Sequence, residues 1–369
     1  MRKILKKIHL YLALVLCFPL ILQGLSGAIL VFDHEISRRF SFSDHEFSSQ
    51  NIRPIGEIIS AAKDKTPEGF KANFIKIDEA ATVRFSKKVD EENVNLEVAL
   101  DPASLEILLV RNPQDSPLNT IKRFHTNLLI QGPLGRNFIG YYGFTMLFMA
   151  ISGLVIWFPK KGMRSKEMFR RILTFKLSST GKKLYRDLHA SIGAWASIFI
   201  LISSFSGVYL AFPQGTGNFI ATIFHGKNFA AANSIKAEPL VADLKVEALK
   251  IDDAIEIAKN ALGQDLEFVS SGIPTKPDQP FRINFAEKNH QDGAPFTTAF
   301  IDPWSKKIIE KREPNNYSLS ESIISWQSPL HEGRGLGLIW SVIVFLVGFL
   351  PLFFSITGIA MWWLKKGKK

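Results

Sequence analysis

The sequence predicts a membrane protein. Its fold class is a four-helix transmembrane bundle with a pseudo-two-fold internal repeat, carrying two extracytoplasmic α+β domains, each a helix packed on an antiparallel sheet. Three observations predict it. First, four apolar blocks interrupt an otherwise polar chain of 369 residues, each near the roughly 20 residues a helix needs to cross a hydrocarbon core ~30 Å thick. Second, the block His9 to Phe32 returns without a gap 180 residues later as His189 to Phe212. His9 falls on His189, Ser26-Gly27 on Ser206-Gly207, Leu30 on Leu210 and Phe32 on Phe212. Third, the net charge of +11 is concentrated in three short stretches, residues 1–8, 159–188 and the tail from Lys365, which hold 18 Lys and Arg against two acids. The positive-inside rule places these stretches in the cytoplasm and the slightly acidic segments 33–124 and 213–330 outside. The basic excess therefore sets orientation and contact with the lipid bilayer; it is not a nucleic-acid footprint.

Residues 1–32 carry transmembrane helix 1. MRKILKK followed by an apolar run resembles a signal peptide, but the run is long for one and its pattern recurs mid-chain, so it is expected to stay. Residues 33–120 form the first outer domain. Ile55, Ile58, Ile59 and Ala62 have helical spacing, and strand-like runs ANFIKID, ATVRFSK, NLEVALD and LEILLVR follow. Residues 121–158 hold helix 2, ending ISGLVIWFPKK. The basic loop 159–188 includes SKEMFRRIL, which has the pattern of a short membrane-surface helix. Residues 189–212 are helix 3.

Residues 213–328 repeat the outer domain, with a helix over 250–262 and strands LEFVSSG, PFRINFAE, FTTAFID and KKIIEKR. Asp302-Pro303-Trp304-Ser305 matches Asp101-Pro102-Ala103-Ser104 as the turn before the last strand. Residues 329–369 hold helix 4 and the tail; its end, ITGIAMWWLKK, matches that of helix 2. Each copy crosses the membrane twice, so the copies share one orientation, with a pseudo-two-fold axis along the membrane normal.

Histidines open all four spans: His9 and His189 from the cytoplasmic side, His125 and His331 from outside. The axis pairs His9 with His189 and His125 with His331, each pair at one depth. Two facing imidazoles satisfy a six-coordinate haem iron, so the pattern predicts two haem b groups per chain, one near each leaflet. Ionisable groups in spans are functional candidates by default. Supporting positions are Gly193, one turn past His189, and Gly335 beside His331. Arg136 and Arg334 are placed to pair with haem propionates. His34, just past helix 1, is a spare ligand or substrate contact. The Ser-Gly and Thr-Gly pairs near the span ends are read as helix-packing residues, Cys17 as a core residue, and His45, His225 and His290 as solvated. One cysteine permits no intrachain disulfide. No Gly-rich nucleotide loop, HExxH or nucleophile elbow is present, so flavin or nicotinamide would come from a partner.

The histidine-led spans, the SG and TG endings followed by Trp, and the paired helix-and-strand segments with D-P-x-S turns resemble the PepSY-associated transmembrane family, the iron-regulated membrane protein and ferric-siderophore reductase type. The resemblance spans essentially the whole chain. It implies an inner-membrane haem protein with periplasmic PepSY-like domains, an oxidoreductase that reduces a ferric siderophore or other Fe(III) chelate in iron uptake. The family's histidines carry over by position to His9, His125, His189 and His331. The electron donor on the cytoplasmic side, a flavoprotein or quinol, is not encoded in this four-span chain. The competing expectation is a non-catalytic PepSY membrane protein that binds peptides or restrains a peptidase, which predicts no cofactor.

Overall fold

A computed structural model describes residues 2–41, 51–89, 92–158, 180–229, 235–238 and 247–366. The surface helix expected over 165–173, His45 and the acidic pair Asp90-Glu91 lie outside the described residues. The chain divides into two compact units: residues 1–33, 121–216 and 326–369 form one, and residues 34–120 and 217–325 the other.

The first unit is helical. Its long members are α1 (Arg2–Val31), α5 (Pro133–Trp157), α6 (Gly181–Ala211) and α11 (Leu338–Lys366), each long and apolar enough to cross a membrane. Helix α4 (Pro117–Asn127) precedes α5, and α10 (Gln327–Glu332) precedes α11. Helices α1 and α11 cross with their backbones in contact. A Cβ on Gly24 would lie 2.3 Å from the Gly348 carbonyl oxygen, and one on Gly348 would lie 2.8 Å from Ala28 Cβ. Helices α5 and α6 close up through Gly140, against Phe212, and Gly143, against Val208. These are small-residue contacts of the kind that hold helices together in lipid, where apolar burial drives little. Val15, Phe18, Trp195, Ile198 and Leu346 are each more than half exposed, as lipid-facing side chains are. Pro19 and Pro351 sit inside α1 and α11.

Two short helices follow spans without having been foreseen, α2 (Asp33–Ser41) and α7 (Pro213–Ile223).

The second unit is a single sheet with two helices on one face. Helix α3 (Ile55–Lys63) leads into β1 (Lys71–Ile77), β2 (Ala81–Val89), β3 (Glu92–Leu100) and β4 (Ile107–Arg111). Helix α8 (Ile251–Leu262) leads into β5 (Glu267–Gly272), β6 (Phe281–Ala286), β7 (Thr297–Ile301) and β8 (Ile308–Arg312). Helix α9 (Leu319–Ser325) closes the unit. All neighbours are antiparallel, in the order β4-β3-β2-β1-β5-β6-β7-β8. The segments read as two outer domains thus share one sheet, joined where Phe74, Ile75 and Lys76 of β1 pair with Gly272, Ser271 and Ser270 of β5. The join gives the first strand of each run a partner and removes two free edges.

Alternation along the strands sends Ile75, Val83, Phe85, Val98, Phe281, Ile283 and Phe285 to one face, where they meet Ile58 and Ala62 of α3 and Ala254 and Ala258 of α8. Each large side chain so buried contributes ~1.5–3 kcal/mol. Asp252 of α8 accepts from the Ile55 and Gly56 amides at 2.8 and 3.0 Å and so caps α3.

The two D-P-x-S turns are built alike. Asp101 Oδ1 accepts from the Ala103 and Ser104 amides, Asp302 Oδ1 from those of Trp304 and Ser305. The residue after each turn has positive φ, Leu105 at 64° and Lys306 at 58°. Burial pushes the Asp302 carboxyl up, but hydrogen bonds from the Trp304, Glu238 and Ser305 amides outweigh it and hold the group below the ordinary carboxylate value. His290, expected to be solvated, is instead stacked on Phe296 with ring centroids 4.6 Å apart, because the β6–β7 loop folds back on itself.

Candidate functional site

The helical unit gathers the four histidines and gives each the same kind of seat. His9 lies more than a turn inside α1, and His189 more than two turns inside α6, because both helices begin well before them. His125 and His331 are not on spans. They sit on α4 and α10, the short helices ahead of α5 and α11. The link from α4 to α5 turns through positive φ at Leu128, Leu129 and Gly132; the link from α10 to α11 does so at Gly333, Gly335 and Gly337. Both links are five residues long, 128–132 and 333–337, so the one-residue difference in spacing to Gly153 and Gly358 falls at the end of the short helix, where two residues follow His125 in α4 and one follows His331 in α10.

Each Nδ1 meets the hydroxyl of one of the small-residue pairs. His9 reaches Ser152 Oγ at 2.7 Å, His189 reaches Thr357 Oγ1 at 2.8 Å, His125 reaches Ser26 Oγ at 3.0 Å and His331 reaches Ser206 Oγ at 3.1 Å. Every one of these hydroxyls spends its own hydrogen on a carbonyl in the preceding turn: Met149, Phe353, Gln23 and Ile202 respectively. With that hydrogen on the carbonyl, the hydroxyl oxygen accepts and Nδ1–H donates. At His331 the Ser203 carbonyl, 3.0 Å from Nδ1, can only accept and calls for the same tautomer. At His125 the neighbours differ: Nδ1 is 3.1 Å from the Gln23 carbonyl, an acceptor, and 3.1 Å from the Gln23 side-chain amide nitrogen, a donor. Where the proton is on Nδ1, the lone pair is on Nε2. None of the four Nε2 atoms has a hydrogen-bond partner among the described residues.

The glycine after each hydroxyl lies against the Cε1 edge of the ring. An added Cβ would stand 2.8 Å from His125 Cε1 at Gly27, 3.0 Å from His331 Cε1 at Gly207, 3.5 Å from His9 Cε1 at Gly153 and 4.0 Å from His189 Cε1 at Gly358. The Ser-Gly and Thr-Gly pairs read as packing residues are thus the histidine seats. The sequence held one signal for this: the four histidines that precede or open the apolar blocks alternate along the chain with the four hydroxyl-glycine pairs inside those blocks.

The outer rings face each other. His125 and His331 have centroids 6.1 Å apart with planes at 43°. Among the described residues, His9 and His189 make no such ring contact with each other; Phe354 lies edge-on to His189 at 5.0 Å. The Gln23 amide donates to the His125 carbonyl oxygen at 2.7 Å and leaves its Oε1 buried without a partner among the described residues.

The supporting residues are placed unequally. Arg334 forms an ion pair with Asp33 at 2.7 Å, a partner that sequence reasoning did not find. Arg136 is exposed and makes no ion pair or hydrogen bond among the described residues. Gly193 faces Phe354, at 3.7 Å from an added Cβ. Gly335 serves the backbone: it has φ 81° and packs under Trp326. His34 contacts Asp78 at 3.3 Å within the sheet unit. Among the described residues no three His, Cys, Asp or Glu side chains converge on one point, so the helical unit offers imidazoles without carboxylate or thiolate company.

A family model described as "PepSY-associated TM region" matches residues 6–365. No curated protein matches the chain.

Proposed function

The chain belongs to the PepSY-associated TM family, and from that premise we propose that it is a di-haem b protein of the bacterial inner membrane. It moves electrons from a cytoplasmic-side donor, a flavoprotein or quinol, to a periplasmic ferric siderophore, releasing Fe(II). The observation that carries this reading is the common seat: four histidines with Nδ1 hydrogen-bonded to a hydroxyl and Nε2 without a hydrogen-bond partner among the described residues. Metal-bound histidines are oriented in that way, through a hydrogen bond from the other ring nitrogen. The outer spacing supports it as well. His125 and His331 stand with ring centroids 6.1 Å apart, near enough that both would hold one haem iron.

In this reading the chain is two copies of one unit. Ser152 and Thr357 aim the inner pair, His9 and His189. Ser26, Ser206 and the Gln23 and Ser203 carbonyls aim the outer pair, His125 and His331. The glycines let the Cε1 edges of the rings come up against their neighbouring helices. Arg136, unpaired among the described residues, is available to a propionate; Arg334 would have to leave or share Asp33. Haem held by these histidines would supply one-electron exchange, at a potential tuned by the imidazoles and their hydrogen bonds. The charge distribution supports cytoplasmic termini and periplasmic PepSY-like segments.

The test is a reduced-minus-oxidised spectrum of the protein purified in detergent after expression with ample haem. A low-spin b-type signal is expected, and His189→Ala and His331→Ala should each remove about half of it. A colourless protein, or two variants that keep the full signal, refutes the proposal.

A further inference from the structure

A cleft of about 490 Å³ opens on the sheet unit, and no histidine lines it. The volume is in the range of small-molecule sites, about 300–1,000 Å³. Its rim is the β5–β6 loop, Thr275 to Pro280, and its floor includes Arg282 of β6 and Phe300 of β7. The loop is held in shape by one side chain. Gln279 Oε1 accepts from the Thr275 amide and hydroxyl at 3.0 Å each and from the Lys276 amide at 3.1 Å. Trp304 anchors the loop from behind, its indole N–H donating to the Pro277 carbonyl at 2.8 Å. Such a rim is preorganised, so a ligand would meet it at little ordering cost.

The charges are unbalanced. Lys236, Lys276 and Arg282 line the cleft against one acid, Asp278, which is taken by an ion pair with Lys236. Arg282 has no ion pair or hydrogen bond among the described residues. Its guanidinium is 5.9 Å from the centre of the Phe300 ring, and the Arg312 guanidinium is 5.0 Å from the same ring. Ring contact engages the guanidinium face and leaves its N–H donors free. Arg312 spends its own donors on Glu310 and the Phe229 carbonyl. Arg282 is left as a positioned fork beside a second cation, with Lys276 nearby on the rim.

We propose that this cleft binds a small organic polycarboxylate anion, with one carboxylate on the Arg282 fork and another drawn to Lys276. A planar, bidentate guanidinium matches a carboxylate in both shape and charge. The ligand is the free acid or its ferric complex, which keeps carboxylates that the iron does not take. The inference deepens the proposed function by giving the ferric acceptor a seat, and rests on that reading for this role alone.

The test is isothermal titration of the full-length protein in detergent with citrate and, separately, with ferric citrate. Saturable binding of at least one probe is expected. Arg282→Gln should weaken it roughly tenfold or more, the scale of losing charge-assisted hydrogen bonds, and Lys276→Glu should weaken it as well. Lys63→Gln, on α3, should bind as the parent does. Binding of citrate alone assigns the free acid; tighter binding of ferric citrate assigns the chelate. If neither probe saturates, or if both cleft variants bind as the parent does, the proposal is overturned. A colourless protein that binds through Arg282 overturns the haem reading and keeps this one; a haem protein that binds neither probe does the reverse.

Discussion

Replacing each seat glycine by alanine gives a graded series whose order is set by four distances. Carbon atoms in good contact sit about 3.5–4.0 Å apart. At Gly27 the new methyl would be 2.8 Å from His125 Cε1 and at Gly207 3.0 Å from His331 Cε1, so the rings must retreat by roughly 0.5–0.7 Å. The Nδ1–hydroxyl bonds there are already 3.0 and 3.1 Å, and a retreat of that size carries them beyond useful hydrogen-bond length. Overpacking of this kind costs about 1–3 kcal/mol. At Gly153 and Gly358 the same methyl finds ordinary contact, 3.5 and 4.0 Å, and the gain in helix propensity, up to about 1 kcal/mol, offsets the small remaining cost. Thermal unfolding in detergent reads the stability, and the haem spectrum reads the site independently. Gly27→Ala and Gly207→Ala should lower the unfolding temperature and remove the outer signal; Gly153→Ala and Gly358→Ala should stay close to the parent on both measures. Four equal effects, or larger effects at the inner pair, would refute the idea that these glycines are ring seats.

Two further outcomes follow from the hydrogen bonds. The inner histidines have only a hydroxyl at Nδ1, whereas the outer ones also have a carbonyl; Ser152→Ala and Thr357→Val should therefore cost about 0.5–1.5 kcal/mol and loosen the proposed inner haem, while Ser26→Ala and Ser206→Ala cost less, as thermal melts and haem-retention assays will show. Asp302→Asn should destabilise the sheet unit at neutral pH: because the folded carboxyl is held below its ordinary value of about 3.9, its contribution is present above that pH and fades as pH falls through the lower folded value, so parent and variant melts should converge in strong acid.

The spans and strands were legible because hydrophobic length and period-two alternation are local signals. The reading of LEFVSSG, PFRINFAE and FTTAFID as strands needed nothing outside those segments. The junction of β1 with β5 was not legible, since nothing in ANFIKID names a partner nearly two hundred residues away. At the site, the histidines stood out as polar residues beside apolar blocks, but the seats did not. A Ser-Gly pair that packs helices and one that holds an imidazole are spelled alike. Gln23 and Ser203 were beyond reach for a different reason: they serve the outer histidines through main-chain carbonyls, which every residue has. Arg334 was singled out as a propionate partner, yet the partner it has, Asp33, lies three hundred positions earlier and becomes a neighbour only through the packing of the helical unit.

The seam at the middle of the sheet sets a timetable for synthesis. Strand β1 is complete at residue 77, while β5 is not finished until residue 272. At chain-elongation rates of about 5–20 residues per second, the first half-sheet waits on the order of 10–40 s with one side of β1 unpaired. Two spans, α5 and α6, must be made in that interval. The nascent protein therefore carries an open strand edge while two of its long apolar helices are still being made, and whatever shields that edge decides how much of the chain reaches the joined sheet.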